Sequence, residues 1–260
     1  MKSILIGSFM LYLCIPAVIN AELFTDPSTN IGGKNLVVGA EYSGVMNEYD
    51  LDTKNLPVTS ERALLKVTTG LTDWFDIYLK AGGARLILDY KELDTTVTKN
   101  FDSKMQAGFG AGARIRILNY VNSRTQVYWQ GGGLFFKNSG TIEKWNDTAQ
   151  TQTTTDRDIK WLELYTGIGV AKRMEYVELN FGLGLSDVKW WLDDSVKQKT
   201  GTVTTSGRTK RDSFEIRNPI IGFVGIDFVL PLEYRISAQA GIRGMNSAEF
   251  TIAISQGLEK

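Results

Sequence analysis

The feature that most constrains this chain is an apolar side chain at every second position over long stretches. Between Met105 and Ile117 every odd-numbered residue is apolar, whereas the even-numbered residues are glycine, glutamine or arginine. Residues two apart share one face of a β-strand but lie on opposite sides of a helix. The same alternation recurs at 36–43, 162–170, 176–186 and 234–243. The pattern therefore predicts an all-β protein.

Segments with this period divide the chain into about ten strands, with eight or twelve as alternatives. We predict strands at 34–46, 61–71, 74–90, 103–118, 125–137, 159–172, 176–191, 214–230, 233–243 and 248–258. In the third strand the alternation changes phase at Gly82-Gly83, which predicts a β-bulge. In the eighth strand Pro219 predicts irregular backbone.

The predicted connections alternate between short and long. The short ones are Thr72-Asp73, 119–124, 173–175 and Pro231-Leu232; the long polar ones are 47–60, 91–102, 138–158 and 192–213. Barrels of bacterial outer membranes have short periplasmic turns and longer external loops. The sequence therefore predicts a transmembrane, antiparallel, up-and-down β-barrel with both ends of the chain on the periplasmic side.

The less apolar face of the predicted strands combines glycine with charge, which a soluble protein core could not accommodate. We therefore place this face inside the barrel and the apolar face against lipid. The charged residues expected to line the lumen are Glu41, Lys66, Lys80, Arg114, Arg116, Glu163, Glu178 and Arg235. They either pair across the lumen and fill it or line a water channel. Small barrels are usually filled, which favours a closed or very narrow lumen.

Aromatic residues gather near the predicted strand ends, as expected for rings that favour the headgroup level of a membrane. One predicted girdle lies at the short turns and consists of Trp74, Phe75, Tyr120, Tyr176 and Tyr234. The other lies at the long loops and consists of Tyr90, Trp161, Trp190 and Trp191.

The N-terminal segment has the features of a secretory signal peptide. Lys2 precedes an apolar stretch from Ile4 to Ile19, and Ala21 supplies the small residue before a cleavage site. We expect residues 1–21 to be removed and residues 22–260 to form one barrel domain. Cleavage would remove Cys14, the single cysteine, and no stretch of the remaining chain is long and apolar enough for a spanning helix.

Several of these features together resemble a known group of proteins. The leader, the strand beginning near Leu36, the turn and hairpin GLTDWFDIYLKAGGA (Gly70 to Ala84) and the glycine-rich alternating strands are similar to the outer-membrane β-barrel superfamily. The likeness is closest to opacity-protein and OmpA-type barrel domains. It implies residence in the outer membrane of a Gram-negative bacterium and a structural or surface-interaction role. Such barrels usually finish on an aromatic residue, whereas this chain finishes Gln256 to Lys260.

The chemistry available to the chain is limited, because none of its 260 residues is histidine. Ser-His and His-Asp catalysis are therefore excluded, and we expect a protein that is not an enzyme. We also predict no cofactor and no metal, since the alternating acids Glu48, Asp50 and Asp52 fit solvated charge better than a calcium loop. The formal net charge of zero gives no electrostatic support for nucleic-acid binding.

The expected partners are outer-membrane lipid and a surface ligand of the long loops, and the expected assembly is a monomer. Threonine-rich segments at 148–155 and 200–205 would be the contact regions. A basic run from Lys197 to Arg211 suggests lipopolysaccharide phosphates as a further partner. A surface-interaction barrel is the first hypothesis. The alternatives are a narrow passive pore and, remotely, a hydrolase that uses acids alone.

Overall fold

A computed structural model describes residues 36–51, 54–90, 96–147, 149–200, 203–214, 220–231, 234–242 and 248–258. The signal peptide predicted at 1–21 lies outside these residues. Within them the chain is almost entirely β-strand, with a short 3-10 turn at Val121–Ser123. No helix in this part of the chain is long and apolar enough to cross a membrane.

Thirteen strands form one antiparallel sheet in the described ranges. They are β1 Leu36–Leu51, β2 Lys54–Thr72, β3 Phe75–Leu88, β4 Val97–Lys99, β5 Phe101–Asp102, β6 Gln106–Tyr120, β7 Thr125–Asn146, β8 Thr151–Arg173, β9 Val177–Thr200, β10 Val203–Phe214, β11 Ile220–Val229, β12 Tyr234–Ile242 and β13 Ala248–Leu258.

Ten of these strands close into a ring. The order is β1-β2-β3-β6-β7-β8-β9-β11-β12-β13, and β13 pairs back onto β1 from Leu36↔Leu258 to Met46↔Ala248. Every pairing is antiparallel, so the predicted up-and-down barrel of ten strands is confirmed. Closure leaves the ring without a free edge, which is what lets a sheet exist in lipid.

The strands continue far beyond the length that a membrane requires. A transmembrane β-strand needs about 9–11 residues, whereas β7, β8 and β9 have 22, 23 and 24. The long links predicted at 47–60, 138–158 and 192–213 were therefore wrong as loops, because most of their residues extend the hairpins β1–β2, β7–β8 and β9–β10. Cross-strand pairing between distant segments stabilises these extensions even though their sequences are polar.

The predicted loop at 91–102 also contributes to the wall. Above the start of β6 at Gln106, β5 pairs with β3 and β4 pairs with β7, so that these two short strands occupy the place that β6 has lower down. In the same way β10 pairs with the upper part of β9 while β11 pairs with its lower part. The irregular backbone predicted around Pro219 lies between them, outside the described residues.

One strand shows how the barrel changes from bottom to top. In β3 the outward residues Ile77 and Leu79 are exposed below Gly82, whereas Leu86 and Leu88 point inward and are buried above it. The register with β2 is uninterrupted from Gly70↔Asp76 to Val58↔Leu88. The bulge predicted at Gly82-Gly83 was wrong, because the apolar residues change face while the pleat continues.

The same change divides the whole barrel into two regions. We call the region near the short turns the spanning half; it is apolar outside and polar inside. We call the region near the long hairpins the external half; it is polar outside and apolar inside. Assuming a rise of about 3.3 Å per residue and a tilt of about 45°, the 24 residues of β9 rise roughly 55 Å, about twice an apolar band of ~25 Å.

Candidate functional site: the barrel interior

The charged residues predicted for the lumen all lie on the inward face of their strands. Six are buried: Glu41, Lys66, Lys80, Arg114, Glu163 and Glu178. Arg116 and Arg235 are half-buried nearer the short turns. The structure brings these residues together with inward groups that the sequence analysis missed, and the contacts form layers along the barrel axis.

The lowest layer lies near the short turns. It consists of one ion pair and a group of polar side chains beside it. Nη2 of Arg114 lies 2.5 Å from Oδ2 of Asp76, and both side chains are more than nine-tenths buried. A second pair of strands places the carboxylates of Glu178 and Asp227 directly opposite each other, where the Asn180 amide donates to Asp227 at 3.2 Å. Asp76 could have been found from sequence, because it is four residues before Lys80 on the same strand face.

The middle layer combines an ion pair with two tyrosines. Nζ of Lys80 lies 2.7 Å from Oε1 of Glu41. The hydroxyls of Tyr78 and Tyr165 are hydrogen-bonded to each other from β3 to β8, across the ring. Nζ of Lys66 lies 4.8 Å from the centroid of the Tyr78 ring, within the range of a cation–π interaction. Side chains from distant strands therefore meet inside the barrel.

Glycine makes room for the tyrosines in this layer. A Cβ atom added to Gly132 of β7 would lie 2.6 Å from the Tyr78 hydroxyl and 2.8 Å from the Tyr165 hydroxyl. Real Cβ atoms do not approach other heavy atoms so closely, so a larger residue would displace both rings. The glycine-rich inward face is the surface on which the aromatic side chains pack.

The third layer marks the boundary between the two halves. Nη2 of Arg62 on β2 lies 2.6 Å from Oε2 of Glu163 on β8, and both side chains are almost fully buried. The Arg62 Nε donates to the Ser60 hydroxyl at 2.9 Å, and its guanidinium carbon lies 5.5 Å from the Phe136 ring centroid. Arg62 was missed, although it lies four residues before Lys66 on the same face of β2.

A hydrophobic cluster lies in the interior above this ion pair. It contains inward residues of β2, β3, β7, β8 and β9 together with Val97 and Phe101 from the short strands β4 and β5. Phe136 stacks on Trp161 with centroids 5.6 Å apart, and Trp161 lies 5.9 Å from Trp190. Both tryptophans are fully buried. Their assignment to the outer girdle was wrong, because at this height the apolar face of the strands points inward.

Above the hydrophobic cluster lies a further ion pair. Nε and Nη2 of Arg157 lie 2.6 and 2.5 Å from the two carboxylate oxygens of Asp194, and the Tyr90 hydroxyl accepts a third hydrogen bond from the same guanidinium. Tyr90 packs against the hydrophobic cluster rather than facing outward, so its assignment to the girdle was also wrong. The apolar core is thus covered by charged groups on both sides.

Aromatic residues near the short turns face outward. Trp74, Tyr120, Tyr176 and Tyr234 are exposed, and Phe75 is half-buried beside Trp74. At the other end only Trp191, of the four predicted, is exposed. The described residues hold no group of three or more cysteine, aspartate, glutamate or histidine side chains that could bind a metal ion.

Comparison with solved structures finds bacterial outer-membrane barrels at very low sequence identity. The translocator domain of the autotransporter NalP from Neisseria meningitidis is 12% identical, with a TM-score of 0.49 over 88% of this chain and 90% of that one. The outer-membrane protease OmpT from Escherichia coli is 11% identical, with a TM-score of 0.38 over 86% and 94%. Ail, the attachment invasion locus protein of Yersinia pestis, is 12% identical, with a TM-score of 0.28 over 86% and 95%.

No protein-family model matches the sequence, and no curated protein matches it. The TM-scores lie below 0.5, and the fold rests on this chain's own strand pairing. A closed ring of ten antiparallel strands with an apolar exterior and a charged interior is the architecture of an outer-membrane β-barrel. At that level the resemblance found in the sequence is confirmed.

Proposed function

We propose that this protein is a non-conducting, non-enzymatic barrel of the bacterial outer membrane whose external half presents a contact surface outside the cell. The observation that carries the proposal is the layered interior, in which the Tyr78–Tyr165 and Arg62–Glu163 contacts join distant walls at two successive heights. Arg62 and Glu163 are the clearest case, since they join β2 to β8 and are both almost fully buried at the boundary between the halves.

A filled interior disfavours the narrow pore that the sequence left open. Ion conduction needs a continuous polar path with weak, multiple binding sites. Here the charged layers of the spanning half are followed by a cluster of buried Leu, Ile, Val, Phe and Trp side chains. An ion that reached Arg62 from below would meet hydrocarbon, where an uncompensated charge costs far more than in water.

The external half supports the second part of the proposal. Most of its outward side chains are polar or charged, among them Lys137, Asp158 and Lys197. Its cross-strand hydrogen bonds hold these groups on a continuous sheet, whereas a loop would leave them mobile. A preformed surface loses less conformational entropy on binding. That favours a role in contact with an external partner.

Planar-bilayer recording of the refolded chain tests the closed interior. We expect no reproducible unitary conductance from the natural sequence once a heat-sensitive gel shift has shown that it is folded. The double substitution Phe136→Ala and Trp161→Ala removes inward side chains and should produce open steps. The matched control Phe135→Ala and Leu164→Ala removes exposed side chains of the same two strands and should stay silent. Reproducible steps from the natural sequence would make the protein a pore.

Trimming one hairpin tests the contact surface. Replacing residues 143–154 by Asn-Gly removes equal lengths of β7 and β8, because Glu143 pairs with Thr154, and the new turn suits a two-residue hairpin. Cells that display the trimmed barrel should adhere less to surfaces or to other cells than cells with the full barrel at equal expression. Unchanged adhesion on every surface tested would count against this role.

A further inference from the structure

The membrane-facing wall is not evenly convex but carries an apolar groove. The groove crosses β8, β9, β11 and β12 and has a volume of about 1040 Å³. Its sides include Ile168, Leu183, Val224 and Ile242, which are all exposed. It therefore lies on the outside of the barrel in the spanning half.

Small residues on the outer face create the groove. Gly222 occupies an outward position between Ile220 and Val224, and on the next strand Ala240 lies opposite Val224. A Cβ added to Gly222 would meet only the Leu183 side chain, at 3.7 Å, so the space above this glycine is open. A larger side chain would fit here, and its absence leaves a depression between branched neighbours.

Trp129 borders the groove and has its polar atom satisfied within the wall. Its indole Nε1 donates to the Thr166 hydroxyl at 2.8 Å. The ring therefore offers only apolar surface to whatever fills the groove. A lining of this kind, inside the apolar band, suits a hydrocarbon chain.

Lysines on the same strands lie above the groove. On β9, Lys189 follows Leu185 of the groove by four residues, or about 13 Å at the usual rise per residue. On β8, Lys160 is directly opposite Lys137 of β7 and Trp191 of β9. Like charges that face each other across strands destabilise a sheet, which leaves this arrangement unexplained by the fold alone.

The surrounding acids neutralise these lysines only in part. Lys137 pairs with Asp158 at 2.8 Å, and Lys189 lies 3.9 Å from Asp187, with both of the latter side chains about half exposed. Exposed pairs of this kind contribute little. No hydrogen bond or ion pair engages Lys160 in the described part of the chain. Asp193, directly opposite Asp158, brings the group to three acids for three lysines, so Lys160 is the cation that an anion could engage.

The height of Lys160 and Lys189 along the barrel fits the headgroup level of the membrane. From Lys172, near the short turns, to Lys160 is twelve residues along β8. At about 3.3 Å per residue and a tilt of about 45° this corresponds to roughly 28 Å, close to the height of an apolar band. Lys160 and Lys189 thus lie at the external edge of the membrane while the groove lies within it.

We propose that the groove and the two lysines together bind one phosphorylated, multiply acylated glycolipid of the lipid A class. Acyl chains would occupy the groove along β9, and Lys160 and Lys189 would contact a phosphate. The inference rests on the proposed location in the outer membrane, because the hairpin end of such a barrel faces the outer leaflet. The glycolipid is the favoured occupant because its anionic headgroup suits the lysines and its several acyl chains suit the wide apolar groove.

Native mass spectrometry of the refolded full chain with added lipid A tests the proposal. The substitutions Gly222→Leu with Ala240→Leu should fill the groove, and Lys160→Gln with Lys189→Gln should remove the headgroup contacts. We expect each pair to weaken lipid A binding by about tenfold or more, since charge-assisted contacts and apolar burial both contribute. Dephosphorylated lipid A should bind the natural chain as weakly as lipid A binds the lysine variant.

Matched controls use the opposite wall and the opposite end of β8. Ala81→Leu enlarges an outward side chain on β3, five strands around the ring from β11, and Lys172→Gln removes a lysine near the short turns; both should leave binding unchanged. Equal binding of lipid A by all variants, or equally tight binding of phosphatidylglycerol, would overturn the proposal. Failure of the chain to insert into vesicles, read from the gel shift, would instead overturn the proposed location.

Discussion

The spanning half and the external half of this barrel are built from the same strands with opposite polarity. In the spanning half β3 exposes Ile77 and Leu79 and buries Lys80; a few residues later the strand buries Leu86 and Leu88. Neither register nor pleat changes between the two halves. What differs is the medium outside, which is hydrocarbon below and water above.

This difference shows that alternation specifies two faces but not which one is inside. A soluble barrel and a membrane barrel share the period of two. This chain has the membrane arrangement, apolar outside, in the spanning half and the soluble arrangement, apolar inside, in the external half. The boundary is marked by Arg62 and Glu163, which lie between the polar layers and the hydrophobic cluster. The two halves should therefore behave as separate units of stability.

The largest expected effect comes from the core of the external half. Trp161→Ala should lower the free energy of unfolding by about 3–5 kcal/mol, since it removes a large buried ring and leaves a cavity. Leu164→Ala is the control on the same strand, and it should cost much less because lipid covers the exposed Leu164 in either case. Chemical denaturation in vesicles gives both values. Equal costs would show that the external half has no core of its own.

Hydrogen exchange locates the same effect. In the Trp161→Ala variant, amides of 151–160 should lose protection while those of 165–171 keep it, because local unfolding follows the weakened unit. Uniform loss along β8 would mean that the two halves unfold together.

The ion pair at the boundary should have the next largest effect. Arg62→Leu removes the guanidinium that pairs with the buried Glu163 carboxylate, and we expect a loss of about 3 kcal/mol, at the low end for broken buried pairs. The Ser186 hydroxyl, which donates to Glu163 at 3.4 Å, moderates the loss. The double variant Arg62→Leu with Glu163→Leu should recover most of it. If the double variant were as unstable as the single one, packing rather than charge would explain the effect.

A smaller effect is expected in the spanning half at Gly132. Alanine at this position would push against the hydroxyls of Tyr78 and Tyr165, and overpacking of this kind costs about 1–3 kcal/mol. Gly207, beside which a Cβ would meet nothing within 4 Å, supplies the control. The two alanine variants are compared in the same denaturant series. A Gly132→Ala variant as stable as Gly207→Ala would show that the interior has more room than described.

The smallest effect concerns the outer surface of the external half. Hydrogen bonds from Lys137 and Ser139 lower the pKa of the Asp158 carboxyl. A lowered folded-state pKa stabilises the fold above the unfolded pKa, and this stabilisation is lost as pH falls through the folded value. The pair is about half exposed, so Asp158→Asn should cost less than about 0.5 kcal/mol near neutral pH and nothing in acid. A cost that persisted in acid would contradict this cause.

The sequence predicted the ring well and the height of its wall poorly. Ten strands and the short turns follow from an alternation that is regular in the spanning half, as at 105–117. In the external half, inward positions include Arg157 and Asp194 as well as Ile159 and Leu192, so the alternation is weak there. Only pairing with a distant strand shows that these residues belong to a sheet.

The residues of the barrel interior could be predicted only in part, for the same reason. Charges in the lumen could be inferred from the alternation of inward and outward positions along a strand. Their partners could not, because residues such as Arg62 and Glu163 are 101 positions apart in the sequence. Trp161 and Trp190 were assigned to the outside of the barrel because the strands were expected to end just beyond them. The strands in fact continue through the predicted loops. The polarity change at Gly82 carried the missing information, but in the sequence it has the same signature as a bulge.

The uninterrupted register through the polarity change has a consequence for which insertions and deletions the chain can tolerate. Losing one residue from the middle of a wall strand would turn every later side chain by half a turn, so that Leu86 and Leu88 would face water. Losing a matched pair of residues at a hairpin tip would only lower the wall. Changes in length should therefore accumulate at the tips and in even steps, so that related chains could differ in the height of the wall while the number of strands stays at ten.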